Sequence, residues 1–396
     1  MDPRQVSSPA DEHSSPVGRD PFVDLVRAAS LVVVVLYHWC FTVFDWRADG
    51  PHATNPIGYT RGLWLLTWAL QVMPLFFYVG GWATWSGWHA AQARGDTIGE
   101  YLVRRLREIA LPALGLIVAW WVIAIVMAAI YDIDWMGRVT LLVLSPLWFA
   151  GTYLLVIGAL PLWLWLHRRF GILLPVWLAG AAALVDVARF SHDVPWVGWL
   201  NMVFVWGLAF VVGFSYDRIC ALDRRQQQAI MWVGLFGLIG LVWAGLYPAS
   251  MVGVPGDKFS NMSPPSLAIV ALATFQIGAL ALLRPAVLAR IERPRWVRFR
   301  TSMTTYAMPL YLLHSTGMAI ALYGFWRLTG RRADTIEISG LWWATRPLAV
   351  LVPLLITLPL LWGYGRLHGR ARPQGLQIGH TEGSAAPPPG AGRAST

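Results

Sequence analysis

The sequence predicts an all-α fold, a polytopic transmembrane helical bundle of about ten spans. Three observations predict it. Hydrophobic residues make up 56% of the 396, and mean hydropathy is +0.51, more than a soluble multi-domain chain carries. Apolar runs near the ~20 residues needed to cross a bilayer recur along the whole chain. No ten-residue segments alternate with period two, so a transmembrane barrel is not the reading.

The runs lie at roughly 22–44, 61–89, 109–131, 140–166, 172–190, 197–216, 228–248, 265–286, 303–326 and 341–365. The fourth contains Pro146 and Pro161, and the fifth ends in Asp186 and Arg189, so these two are the least regular. The 24 Trp suit membrane interfaces, where indole rings prefer to sit. Residues 1–20 and 368–396 are polar and rich in Ser, Pro, Gly and Ala. They read as disordered cytoplasmic tails around one membrane domain at 21–367. No cleavable leader is expected, because the first apolar run is full length and the residues before it are polar. Cys40 and Cys220 fall in a span and in a loop, which implies neither a disulfide nor a metal framework.

The net charge of +10 invites a nucleic-acid partner, but its distribution argues against one. With the N-terminus cytoplasmic, loops on that side hold 21 of the basic residues and loops on the other side hold nine. That bias satisfies the positive-inside rule with both termini cytoplasmic, in a plasma (inner) membrane. The loop 327–346 departs from the rule: Arg327, Arg331, Arg332 and Arg346 all fall on the outer side.

Chemistry is most legible in the first run. His38 follows Arg27 by eleven residues, which at roughly 100° per residue is three turns and a miss of about 20°. Both therefore share a helix face, with His38 about 16 Å deeper, near mid-membrane. Ionisable side chains at that depth are costly and mark a functional site by default. Imidazole is suited to moving a proton near neutral pH. Asp24 precedes Arg27 by three residues, within reach of an ion pair. The plain alternatives are an interhelical hydrogen bond for His38 and a topology anchor for Arg27.

Arg104 and Arg107, three apart before the third run, share a helix face and are candidates to clamp phosphate oxygens. Basic residues are expected at that boundary in any case. Gly80-Gly81 in the second run either lets helices approach closely or leaves room for a ligand. Trp148, Tyr153, Asn201, Tyr306 and His314 are candidate substrate-binding residues, with interhelical hydrogen bonding as the alternative for each. Gln276 and Ser302 are read as interhelical hydrogen-bonding residues. No Walker A loop, dinucleotide glycine fingerprint or zinc-ligand spacing occurs, so no metal site is expected. The central parts of the runs lack carboxylates, which argues against a proton-coupled pump.

Asp24-Leu-Val-Arg27 with ten residues to His38, Met73-Pro-Leu-Phe-Phe followed by Gly80-Gly81, and Arg104-Arg105-Leu-Arg107 come first. Leu147-Trp148-Phe149 with Tyr153, Asn261 with Pro264-Pro265, and Tyr311-Leu-Leu-His314 follow. In this order and spacing they resemble the acyltransferase-3 family of integral membrane acyltransferases, from about Asp20 to Leu367. The resemblance implies transfer of an acyl group, often acetyl from acetyl-CoA, to a hydroxyl on an envelope sugar, glycolipid or small metabolite. It implies acyl-CoA as donor substrate, no permanently bound cofactor, and membrane lipid as surroundings. It makes Arg27 and His38 one essential pair, and Arg104 and Arg107 another. Where many members have Ser-Gly after the aromatic run, this chain has Gly80-Gly81. The rival reading is a transporter or flippase of a glycolipid or polyprenyl-linked sugar, with His38 and Arg27 lining its pathway. No internal repeat supports that reading.

Overall fold

The computed structural model describes residues 20–369 except 132, 134, 193, 255, 256, 258 and 333–337. The two expected tails lie outside the described residues, apart from Asp20 and the last helical turn. Among the described residues the long elements are helices apart from one hairpin: α1 (Pro21–Phe41), β1 (Val43–Arg47), β2 (Gly50–Thr54), α2 (Leu65–Leu70), α3 (Met73–Ala93) and α4 (Ile98–Tyr131). There follow α5 (Met136–Leu144), α6 (Leu147–Gly158), α7 (Leu160–Phe170), α8 (Leu174–Ser191), α9 (Asn201–Gly213) and α10 (Tyr216–Ala221). The last helices are α11 (Arg224–Trp243), α12 (Leu267–Ile291), α13 (Pro294–Thr329), α14 (Gly340–Ala344) and α15 (Arg346–Gly369).

Helix starts follow local chemistry. The Asp20 side chain accepts from the Phe22 N–H at 2.7 Å, with Pro21 in the first turn. Asp223 and Gln226 form a reciprocal capping box at the start of α11. Gly330 closes α13 in the left-handed region at φ 68°.

Among the described residues, eight helical segments are long and apolar enough to cross a membrane, and α5 with α6, bent by 44°, makes a ninth. The expected count of ten is reached only by adding α13. That helix has 36 residues but opens on Arg295, Arg298, Arg300 and a Ser/Thr-rich turn, which lowers its hydropathy. The run expected at 140–166 is not one helix. Pro146 caps α6 and Pro161 opens α7, so the chain breaks twice where proline withholds a backbone donor. The hairpin was not expected. Its strands pair from Val43↔Thr54 to Arg47↔Gly50, and Gly50 turns at φ 112°.

Two helix contacts depend on missing side chains. A Cβ at Gly81 would collide with the Phe210 carbonyl of α9, and one at Gly234 with the Phe275 backbone of α12. Such small residues let membrane helices approach closely. The main core lies among α3, α6, α7, α8, α9 and α12, where Phe77 and Trp206 stack at 4.9 Å. By contrast α4 turns Leu111, Val118, Ile125 and Ile130 outward, as hydrocarbon contact requires.

The bundle has two distinct ends. At one, Asp20 meets Arg284 and Tyr216, joining the start of α1 to α10 and the last third of α12. At the other, the loops around residues 55–72 and 245–266 interlock. Asn55 donates to the Gly253 carbonyl, Trp68 to Ala249, and the Met251 N–H donates to Thr67.

Candidate active site

Helix α1 carries the site along one face. Trp39 Nε1 donates to the His314 carbonyl at 2.9 Å, which fixes the depth of α1 against α13. In that register His38 Nδ1 lies 3.0 Å from His314 Nε2, with the rings stacked at 5.0 Å. Hydrogen-bond logic then sets the tautomers. The Tyr311 carbonyl, 2.7 Å from His314 Nδ1, only accepts, so that nitrogen carries the proton. In neutral His314 the remaining nitrogen, Nε2, is an acceptor, so His38 Nδ1 must donate to it. The lone pair of neutral His38 is therefore on Nε2, which has no hydrogen-bond partner among the described residues. Ser315 Oγ, 3.2 Å from His314 Nε2, is a second neighbour of that acceptor.

Two cavities meet near this pair. One, of about 90 Å³, is lined by Val34, His38, Phe41, Gln71, Met73 and Trp148 and opens toward the interlocked loops. The other, of about 270 Å³, lies toward the Asp20 end and is lined by Asp24, Arg27, Arg105, Glu108, Tyr153 and Tyr311, among others. Only a thin layer divides them. Val34 and Leu31 of α1, Met73 and Phe76 of α3, and Trp148 and Phe149 of α6 sit on opposite sides of it. The Arg27 side chain is exposed, whereas His314 is fully buried.

The structure sorts the expected residues. Asp24, Arg27 and Tyr153 come together in the second cavity, and His38 and Trp148 in the first. Gly80 explains Tyr153: a Cβ there would sit 2.6 Å from its hydroxyl, so the glycine makes room for the phenol. Gly81 serves helix packing instead.

Arg104 and Arg107 are not in the second cavity. They line a shallow surface concavity beside it, where Arg104 pairs with Asp96 at 3.0 Å. That guanidinium, bonded to Asp96, holds its carboxyl below the usual range. Arg105 points inward in their place and pairs with Glu108 at 3.0 Å, and Glu108 borders both concavity and cavity. Sequence reasoning missed Arg105, although a helix that turns 104 and 107 outward turns its neighbour elsewhere.

The structure gives the other three candidates structural partners. Asn201 is fully buried and donates to Asp186 at 3.0 Å, so it holds α9 to α8. Tyr306 lies against Gly365 of α15 and lines neither cavity. His314 has both ring nitrogens engaged and faces His38 rather than a cavity. Cys40 and Cys220 are free thiols.

The model of the family described as an acyltransferase domain, acyltransferase family 3, matches residues 20–364. The chain belongs to this family. It is a multi-pass membrane acyltransferase. No curated protein and no solved structure matches it significantly.

Proposed function

We propose that this acyltransferase moves an acyl group, acetyl in the simplest case, from acyl-CoA to a hydroxyl of a cell-envelope saccharide, glycolipid or small metabolite. It does so in the plasma membrane with both termini cytoplasmic. The observation that carries this reading is the His38–His314 pair. It leaves one unengaged imidazole nitrogen beside a cavity that lies one thin layer from an arginine-lined one.

The Arg104–Arg107 concavity and the Arg105–Arg27 cavity bring four guanidiniums, interleaved with Asp24, Glu100 and Glu108, along a path where the phosphates of CoA can be bound bidentately by arginine in exchange for carboxylate partners. The pantetheine arm crosses the layer between Leu31 and Val34 to bring the thioester to His38. The acceptor enters from the opposite end of the bundle. His38 Nε2 takes the hydroxyl proton as the oxygen attacks the thioester carbon. The tetrahedral oxyanion collapses, the carbon–sulfur bond breaks, and the proton passes from His38 to the departing thiolate. The products are an ester and free CoA. His314 is a positioning residue: it accepts from Nδ1–H and so keeps the lone pair of His38 on Nε2. Trp148 and Tyr37 line this wall, and neither the indole N–H nor the phenol O–H has a hydrogen-bond partner among the described residues, so these two are the candidate donors for the oxyanion.

Thiol release from acetyl-CoA by the purified protein, with and without envelope glycolipid extract, tests the reading. Extract-stimulated release by the wild type, lost in His38→Ala, is expected. Accumulation of extract glycolipid inside vesicles with no CoA released would instead favour transport.

A further inference from the structure

The outer loop 327–346 carries more arginine than topology requires, and its residues have different uses. Arg346 is an internal clamp, donating to the Cys40 carbonyl at 3.3 Å and lying over the Trp342 ring at 3.9 Å. Arg332 stands at the mouth of a third cavity, of about 370 Å³, between α4, α5, α13 and the hairpin. Its guanidinium is 4.7 Å from the centre of the Trp46 ring. Trp135 meets Trp46 edge to face at 5.3 Å and Trp326 at 6.3 Å, so three indoles surround that mouth.

Below the mouth the wall is hydrocarbon and thioether, with Met127, Met136, Val143 and Met318 among its residues. Along α13 it extends from Trp326 to Ser315, eleven residues or about 16 Å. So apolar a cavity suits neither a sugar nor a nucleotide. Its inner end adjoins the reacting pair, because Ser315 lines it and places its hydroxyl 3.2 Å from His314 Nε2. At its outer end the chain passes directly between cavities: Phe41 lines the one holding His38, and Phe44 lines this one.

An apolar channel capped by indoles and a guanidinium complements an amphiphile. Tryptophan prefers the headgroup level of a bilayer, and arginine binds phosphate through paired N–H donors. We propose that this cavity holds the hydrocarbon tail of a phosphate-headed lipid from the outer leaflet, and that this lipid carries the acceptor hydroxyl. The proposal rests on the acyl-transfer reading, which gives the headgroup its reason to lie beside His38. With the phosphate at Arg332, the remainder of the headgroup passes over residues 41–44 into the cavity where His38 waits.

Diacyl phosphatidic acid is a suitable probe, since it has the tails and the phosphate but no hydroxyl to acylate. The full chain, in phosphatidylcholine nanodiscs doped with phosphatidic acid, is compared with Arg332→Glu, which reverses the charge at the mouth. A second comparison is Ala319→Trp, which fills the channel one turn above Ser315. Lipid retained through native mass spectrometry and acetyl transfer to a membrane lipid extract are both read.

The wild type should retain phosphatidic acid over phosphatidylcholine by about tenfold, equivalent to about 1.4 kcal/mol. Arg332→Glu should lose that preference, and Ala319→Trp should retain neither lipid. Phosphatidic acid should inhibit transfer by competing with the extract. Equal retention by the wild type and Arg332→Glu would overturn the proposal. Selective retention without competition would make the occupant a structural lipid and overturn its role as acceptor. Selective retention with no transfer to any acceptor would overturn the reaction assigned above and leave the lipid site standing.

Discussion

Asp186 and His38 are both polar side chains placed inside a helical bundle, and their surroundings differ in one respect. Asp186 of α8 is saturated. It accepts from Asn201 at 3.0 Å, Tyr247 at 2.9 Å and the Leu267 N–H at 2.7 Å. Those three donors come from α9, the loop after α11 and the start of α12, so the carboxylate ties the far end of the bundle together. His38 is held as firmly on one side, through Nδ1 to His314, yet its Nε2 has no hydrogen-bond partner among the described residues and the side chain lines a cavity. A closed set of hydrogen bonds makes a polar group structural; one remaining lone pair makes it available for chemistry.

Substitutions at the two places should separate along that line. The largest effect on turnover is expected from His38→Ala, a loss of about 10²- to 10⁴-fold, the usual contribution of a general base. Its melting temperature should stay near the wild-type value. Asp186→Ala should do the reverse. Tyr247 O–H and Leu267 N–H lose their acceptor, at about 1–3 kcal/mol for a buried donor, and Asn201 retains only the Ala182 carbonyl, so folded yield falls while activity per folded molecule persists. Thermal melts paired with thiol-release rates would check both, and a normal melt for Asp186→Ala would break the comparison.

His314→Gln should be next, lowering kcat by about tenfold or more with little change in KM and altering the pH–rate profile, because the tautomer of His38 is no longer fixed. If KM rose and kcat were spared, His314 would be a substrate ligand instead. Among the glycines, Gly81→Ala should cost folded protein, because its Cβ meets backbone of α9, with overpacking worth about 1–3 kcal/mol. Gly80→Ala should be milder and appear in the KM for acyl-CoA, because its Cβ meets the Tyr153 side chain, whose ring has to move, rather than backbone. The smallest effect is expected from Arg107→Ala, a few-fold rise in that KM at low salt that shrinks as ionic strength rises and screens the phosphate.

Much of this was legible in the sequence, and the limits have physical causes. Hydropathy reports how far an apolar run extends, so the helices stand close to where the runs predict them. It does not report a bend, which is why α5, α6 and α7 read as the one run 140–166 despite Pro146 and Pro161. Helical periodicity put Arg27 and His38 on one face because that relation lies within a single helix. The contact between His38 and His314 joins residues 276 positions apart and depends on how α1 docks on α13. Arg105 was overlooked for a related reason: which arginine faces the cavity is set by the rotation of α4 against its neighbours. Asn201 looked like a ligand because a polar residue in an apolar run signals either ligand or clamp, and only its partner Asp186 distinguishes the two.

The central claim, that the open nitrogen of His38 performs the transfer, is tested most directly with host membranes supplying their own acceptor. Labelled acetyl-CoA would be added to membranes containing the wild type, His38→Ala or His38→Gln, at matched amounts of folded protein. Base-labile label should enter membrane material only with the wild type. Incorporation at the wild-type rate in either variant would contradict the account.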